Sequence, residues 1–590
     1  MDDSRDGVGE RPRPVRPAPK GSDVRRSFTR GTARPRGVVW FGATSFWGHL
    51  QHFIATAIAT EDVDSRDWMT PDDPRELLAR IARVLGGDPK ASSLLDALQR
   101  DVWIDFIADT GDDVSVSRAV ARLLFAEYEL PDPDRPGEHL VAPRGEILLF
   151  GGDTAYPVAT AREITNRVVA PWNQVLDSIP KDDKPRVLIG IPGNHDWYDG
   201  LDGFQRLFRL RSDDDDVRAS VVGISQAMLE HYAEWARQFV RGGKVEKPKA
   251  LAFAGYTPVQ NASFFVLPVT RSLQLYGVDR QLTTPDSRQR RFLGDEYREH
   301  PGAAWVLLPD PIYRFGYASK TGTAMVESLQ LDFEAREHFV LTGDVRHYQR
   351  LERSRMLHVT AGGGGAFLHP ARLARGGLPY QTQWPEAPQC RRLLRQVPWK
   401  IGTGRSGFLP HLFLLMLFFP AISFGARFYE KLGFILSAPF ATTLVLGVIY
   451  ALIGGVRRRK AVLPLAFAAA FATALLPIAG SLVVSRGLAE LGVSISLTLL
   501  MLATLVISVF VGVFVFGGYL ALLTALGFEH TQAFTALDHP GFKHFLRLRV
   551  RADGSGIDGF CVGLADPLGK DSAPVLVDTW TWRPSSLGED

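Results

Sequence analysis

The chain has 590 residues, too many for one hydrophobic core, so two or more domains are expected. A formal net charge of +3 excludes the strongly basic surface of a nucleic-acid-binding protein, and no nucleic-acid partner is evident. Two distant cysteines, Cys390 and Cys561, exclude a disulfide framework and match no zinc or redox spacing, which suits a reducing compartment. The first residues carry no apolar run of the kind found in a cleavable signal.

Residues 1–37 are rich in Arg, Pro, Gly, Asp and Ser without apolar periodicity, and read as a disordered basic tail. Residues 38–100 read as a helical lead-in, opening on Val38, Val39, Trp40 and Phe41, with a second helical pattern over 75–85 after Asp72-Asp73-Pro74. His49 and His52 stand three apart on a helix-like run and read as packing residues, because no carboxylate has matching spacing.

Four short apolar runs then end in Gly-flanked polar residues. Residues 102–108 lead into Asp109-Thr110-Gly111, and 146–150 into Gly151-Gly152-Asp153-Thr154-Ala155-Tyr156. Residues 186–189 lead into Gly190-Ile191-Pro192-Gly193-Asn194-His195-Asp196, and 338–342 into Gly343-Asp344-Val345-Arg346-His347. Each reads as a buried strand with a tight turn at its end. In open α/β sheets ligands bind outside the carboxyl ends of the strands. Asp, Asn, His and Tyr gathered there are what a two-metal hydrolytic site requires.

The order Asp-x-Gly, Gly-Asp-x-x-Tyr, Gly-Asn-His-Asp and Gly-Asp-x-x-His resembles the calcineurin-type metallophosphoesterase superfamily over residues 100–370. The first two variants resemble its purple acid phosphatase branch, and the membrane segments below suggest a bacterial-type anchored member. The resemblance implies an α/β fold, an αββα sandwich of two mixed sheets with metal ions at one edge. It implies that Asp109, Asp153, Tyr156, Asn194, Asp310, Asp344 and His347 hold one or two divalent or trivalent ions, Mn, Fe, Zn or Mg. Asp153 would bridge them, and Tyr156 would replace the imidazole that Asp-x-Gly lacks. His195 would protonate or stabilise the leaving oxygen, oriented by Asp196, while a metal-activated hydroxide attacks a phosphate mono- or diester.

Two positions depart from the superfamily pattern. Asp310 stands at the end of the strand-like run 305–308, where a histidine is usual, and a hard oxygen there favours Mn or Mg over Zn. Asp344 and Arg346 stand where Gly-His-x-His has its two histidines. Either His347 swings in as the ligand, or Arg346 exchanges a metal contact for a phosphate contact. Gly362-Gly363-Gly364-Gly365 lets backbone approach a ligand or another element closely, and His369 beyond it reads as structural. Between 205 and 300, the acidic run 213–216 reads as a solvated loop and 226–240 as an amphipathic helix containing His231.

From residue 407 the composition changes. Four nearly charge-free runs, 408–424, 433–455, 461–484 and 492–517, fit bilayer-spanning helices, and the apolar stretch extends to Leu526. Lys and Arg flank the outer ends and the 457–460 loop, so the bias places both termini and the hydrolytic domain in the cytoplasm. The spans carry almost no ionisable groups, which favours an anchor over a conduit. Residues 527–590 regain polarity and read as a small cytoplasmic β-containing segment, with His530, His539 and His544 in loop or interface roles. The expected organisation is therefore tail 1–37, lead-in 38–100, catalytic domain 101–390, transmembrane region 407–526 and C-terminal segment 527–590. The expected partners are membrane lipid and a phosphate ester, lipid-linked or soluble. A non-catalytic, membrane-tethered binding or sensory module on the same scaffold is the alternative.

Overall fold

The computed structural model describes residues 13–14, 40–42, 69–180, 182–198, 200–210, 251–281, 284–373, 376–427, 432–455, 460–493, 496–570 and 572–585. The tail other than Arg13 and Pro14, His49, His52, the acidic run, the His231 helix and Arg457 to Arg459 lie outside them.

Helix α1, Pro74–Leu85, realises the 75–85 pattern. The Asp73 side chain caps it through the amide of Arg75, Pro74 opens it, and Gly86 closes it at φ 74°. Its apolar stripe, Leu77, Leu78, Ile81 and Ala82, is buried.

Two seven-stranded mixed sheets form the domain around it. The strands of the first are β1 (Val102–Ile107), β2 (Ile147–Phe150), β3 (Arg186–Gly190) and β4 (Tyr256–Pro258), paired in parallel in that order. The second holds β5 (Phe265–Pro268), β6 (Leu273–Gly277), β7 (Ala303–Leu308), β8 (His338–Thr342), β9 (Tyr348–Arg353), β10 (Met356–Ala361) and β11 (Thr382–Trp384). Its order is β11-β9-β10-β8-β7-β6-β5, with β6, β7, β8 and β10 parallel. Strands β1, β2, β3, β7 and β8 are buried at every residue, which is why they read as continuous apolar runs rather than alternating ones. One apolar cluster takes Ile104, Phe106, Leu149 and Ile189 from the first sheet and Trp305, Leu307, Phe339 and Leu341 from the second.

The expected C-terminal β-containing segment is part of the first sheet. Strands β12 (Lys543–Val550), β13 (Ile557–Leu564) and β14 (Val575–Trp582) complete the first sheet, whose order is β14-β13-β12-β1-β2-β3-β4. Strand β12 runs antiparallel to β1, pairing Leu546 with Phe106 and Val550 with Val102. The physical reason is burial. β13 is buried at every residue, with Phe560 and Val562 in one of the domain's apolar clusters and Ile557 and Cys561 in the other. The apolar helices are thus an insertion within a sheet-forming unit rather than a division between two.

Those helices are α5 (Leu409–Arg427), α6 (Leu432–Ile453), α7 (Val462–Glu490) and α8 (Leu497–Ala525), preceded by α4 (Val397–Gly402) and followed by α9 (Gln532–Leu537), with α2 (Val114–Leu124) and the one-turn α3 (Asn194–Trp197) in the domain. Among the described residues, α7 and α8, each of 29 residues, are long and apolar enough to cross a membrane, and α5 and α6 contain shorter apolar stretches. At 1.5 Å per residue, α8 is about 43 Å long, more than the ~30 Å of a bilayer's hydrocarbon core. Tyr519 of α8 donates to the Tyr450 carbonyl of α6 at 2.6 Å, tying the helices together.

Candidate active site

The expected residues stand on turns that leave β1, β2, β3, β7 and β8 at their carboxyl ends. Asp109, Asp153 and Asp344 each sit in left-handed backbone, at φ 58°, 54° and 62°. Aspartate is among the few residues that tolerate this region, because its short side chain bonds locally. Here those side chains reach one another's loops. Asp109 Oδ2 accepts from the Asp344 amide at 2.7 Å, and Asp153 Oδ1 from the His195 amide at 2.9 Å. The backbone is laced as tightly, Asp109 N to Gly152 O and Thr110 N to Asp153 O, both at 3.0 Å.

The four-glycine turn is explained by close approach. A Cβ on Gly362 would lie 2.7 Å from Asp109 Oδ2, and one on Gly363 would lie 2.1 Å from the His544 ring. The Gly363 carbonyl accepts from the His544 amide, so this turn joins the site to β12.

Tyr156 stands between the two leading carboxylates, its hydroxyl 2.7 Å from Asp109 Oδ1 and 2.9 Å from Asp153 Oδ2. A phenol has one proton to give, so it donates to one of these two oxygens at a time. Burial and then the Asp153 charge push the Asp109 carboxyl well above the usual carboxylate range. Burial likewise raises the Tyr156 phenol.

Arg346 approaches the same group, with Nε 3.3 Å from Asp109 Oδ1 and its guanidinium 4.6 Å from the Tyr156 ring centroid and 4.2 Å from that of Phe367. Burial alone would lower its pKa, but Tyr156, Asp109 and Asp153 outweigh that and hold it above the ordinary value. Of the two readings of this motif, Arg346 therefore faces the site. The neighbouring His347 is fully buried, its Nε2 lies 3.0 Å from Gln349 Oε1, and burial pushes its pKa down to about 4. His369 takes the Arg346 amide on Nδ1 at 3.2 Å, a structural contact.

Asp310 and Asp344 are held by cations of the chain itself. Asp310, 1 % exposed, accepts from Arg280 at 2.5 Å and from Arg314 at 2.7 Å, and Arg314 also reaches Asp344. Neither Arg280 nor Arg314 was marked by a motif. Arg314 lies four residues after Asp310, and Arg280 lies on the loop after β6, so only the fold brings them together.

His195 and Asp196 are both buried. The expectation that Asp196 orients the imidazole is corrected. Asp196 Oδ2 accepts from the amides of Asp153 and Gly193, each at 2.8 Å, and Oδ1 from that of Thr154 at 3.2 Å. At the third position of α3 its carboxylate turns back onto the helix's first amides, as a capping residue does. Burial, then Asp153, raises its pKa to about 7. The ring of His195 is oriented instead by the Pro157 carbonyl, 2.6 Å from Nδ1. A carbonyl only accepts, so Nδ1 carries a proton. Asn194 donates from Nδ2 to the Tyr198 hydroxyl at 2.6 Å.

The donor set decides how far the implied metals fit. At the first half the two carboxylates and the phenol are hard oxygens, with Arg346 beside Asp109, and suit one hard cation at most. At the second half, guanidinium groups already take the carboxylates. Among the described residues no three His, Cys, Asp or Glu side chains converge as a metal cage. A two-ion centre does not fit this site.

No family model matches the sequence, and no curated protein matches it. Solved structures similar to parts of the chain include "GAP50 the anchor in the inner membrane complex of Plasmodium", at 10 % identity and TM-score 0.26, covering 48 % of this chain and 77 % of that one. Another is described as "Structure of PhoD", at 10 % identity and TM-score 0.24, covering 45 % of this chain and 58 % of that one. Likeness of this size carries no argument about fold or function.

Proposed function

We propose that the protein is a membrane-anchored phosphoesterase with one hard cation in its site. The observation that carries this reading is the trio Asp109, Asp153 and Asp344 in left-handed backbone, two of them sharing one phenolic proton. Strained backbone costs roughly 1 kcal/mol or more per residue, and a purely structural ion-pair network does not need three such turns. The apolar cluster shared by both sheets supports the two-sheet sandwich that the motifs imply.

Asp109, Asp153 and Tyr156, with Asn194 beside them, would hold the ion, which when bound supplies Lewis acidity and lowers the pKa of water. The chain's own groups do the rest. Arg346, Arg280 and Arg314 face the places where phosphoryl oxygens would lie, and guanidinium is suited to them by geometry and charge. His195 Nε2, fixed by the Nδ1 bond to Pro157, gives a proton to the leaving oxygen.

Membrane anchoring rests on α7 and α8 with the shorter apolar stretches of α5 and α6. Because β12 pairs with β1, the chain must return to the side from which α5 departs. That return supports an even number of crossings, and the Lys and Arg bias supports a cytoplasmic position for that side.

The test is hydrolysis of p-nitrophenyl phosphate and bis-p-nitrophenyl phosphate by the detergent-purified chain with added Mn, Mg, Fe or Zn, beside Asp153→Asn. Metal-dependent turnover abolished in the variant is expected. A folded protein that turns over neither of these esters nor a phospholipid with any ion refutes the reading. A second reading, a non-catalytic anion-binding module, is favoured by the pairing of Asp310 and Asp344 with arginines. It predicts phosphate binding without turnover.

A further inference from the structure

We infer that the substrate of this site is a phosphate ester carried by a membrane amphiphile and taken at the bilayer surface; this rests on the phosphoesterase reading above. The inference comes from where the walls of the site are fastened. Trp40 packs edge-on against Tyr156 and His195, at ring-centroid distances of 5.9 and 6.2 Å. The next residue, Phe41, is bound through its backbone to the start of the apolar helices. Its amide donates to the Ser406 carbonyl at 3.2 Å, and its carbonyl accepts from the amide of Leu409, the first residue of α5, at 3.3 Å.

The opposite wall is fastened in the same way. Arg314 faces Asp310 and Asp344, and the next residue, Phe315, stacks on His530 with centroids 4.3 Å apart. His530 lies five residues beyond the end of α8 at Ala525. The segments that enter and leave the apolar helices are thus both packed against residues of the site's walls. Residues adjacent in the chain, Trp40 with Phe41 and Arg314 with Phe315, join the site to both ends of the helical region.

The surface at this level has the character of a membrane interface. Trp399 on α4 and Phe408 just before α5 are 66 % and 68 % exposed. Aromatic side chains are enriched where acyl chains meet headgroups. Trp399 is held there by an edge contact with Phe514 of α8, at 5.1 Å between centroids. A soluble ester would have no use for this placement. An ester whose phosphate sits at the headgroup level and whose tail stays in the bilayer meets Arg280, Arg314 and Arg346 without leaving the membrane.

The test reconstitutes the full chain in phosphatidylcholine vesicles carrying either phosphatidic acid or phosphatidylglycerol, with glycerol phosphate and p-nitrophenyl phosphate as soluble comparisons. A kcat/KM for one lipid ester at least about tenfold above that for the soluble esters is the expected result. Soluble esters hydrolysed as well as or better than both lipids overturn the inference and leave the phosphoesterase reading standing. Turnover of none of them overturns both. A readout independent of turnover uses a photoactivatable phosphatidic acid, with the reactive group beside its phosphate, on Asp153→Asn. Labelling of the peptides containing Trp40 or Phe315 is expected; labelling confined to α5 to α8 overturns the inference.

Discussion

Removal of the Arg547 side chain should unfasten the C-terminal strands from the domain. Arg547 and Asp105 are both fully buried, on paired positions of β12 and β1. The guanidinium donates to Asp105 at 2.7 and 3.1 Å, and to the carbonyls of Ala126, Leu124 and Ala142 at 2.8, 2.8 and 3.3 Å. In Arg547→Ala, Asp105 keeps only the Gly145 amide at 2.8 Å as partner, and three carbonyls lose a donor. Breaking a buried pair from one side costs about 3–5 kcal/mol. That is a large part of a typical stability of about 5–15 kcal/mol. For a two-sheet unit of about 400 residues it corresponds to a fall of roughly 4–6 °C in melting temperature. The assay is thermal melting of the detergent-purified protein, followed both by fluorescence and by protease release of a C-terminal tag. Asp105→Leu with Arg547→Met, which removes both charges, should recover most of the loss. A single variant that melts within about 2 °C of the parent, or a pair no better than the single, would refute the reasoning.

Three further outcomes are expected. Gly193→Ala, whose Cβ would lie 2.2 Å from Asp153 Oδ1, should displace that carboxylate and lower phosphoesterase turnover by about 100-fold or more without unfolding the chain. Metal analysis of the purified protein should find one ion per chain, retained in Asp310→Asn and lost in Asp153→Asn; two ions in the parent would contradict the guanidinium pairing. Burial lowers the pKa of His338, beneath the Tyr297 hydroxyl at 3.0 Å, to about 4. The unfolded chain binds that proton more readily, so this stability is complete above about pH 6.5 and is lost as pH falls toward 4, by up to about 1.4 kcal/mol per pH unit. Melting against pH should show a shallower acid slope in His338→Gln, and an unchanged slope would count against that assignment.

Much of the site was legible because its chemistry lies in short strand-end turns. Asp109, Asp153, Tyr156, Asn194 and His195 stand where a buried apolar run gives way to Gly and polar residues, and that local rule marked them before any fold was known. The apolar helices were legible for a similar reason, since a run of apolar residues longer than a core helix needs no partner to be recognised. The pairing of cations was not legible. Arg280 and Arg314 carry no motif, and their meeting with Asp310 depends on how β6, β7 and the loop beyond them are placed. Asp196 follows His195 in the chain, yet the one-turn helix swings its carboxylate onto backbone amides and leaves the imidazole to Pro157.

By itself the sequence determined the buried strands, the turn chemistry at their ends and the approximate extent of the apolar region, because each depends on neighbours within a few residues. Only the tertiary structure decided that residues 543–582 close the first sheet, that Arg346 rather than His347 faces Asp109, and that Trp40 and Phe315 tie the site to both ends of the apolar helices. Those contacts join residues hundreds of positions apart, through burial and charge compensation that a local pattern does not record.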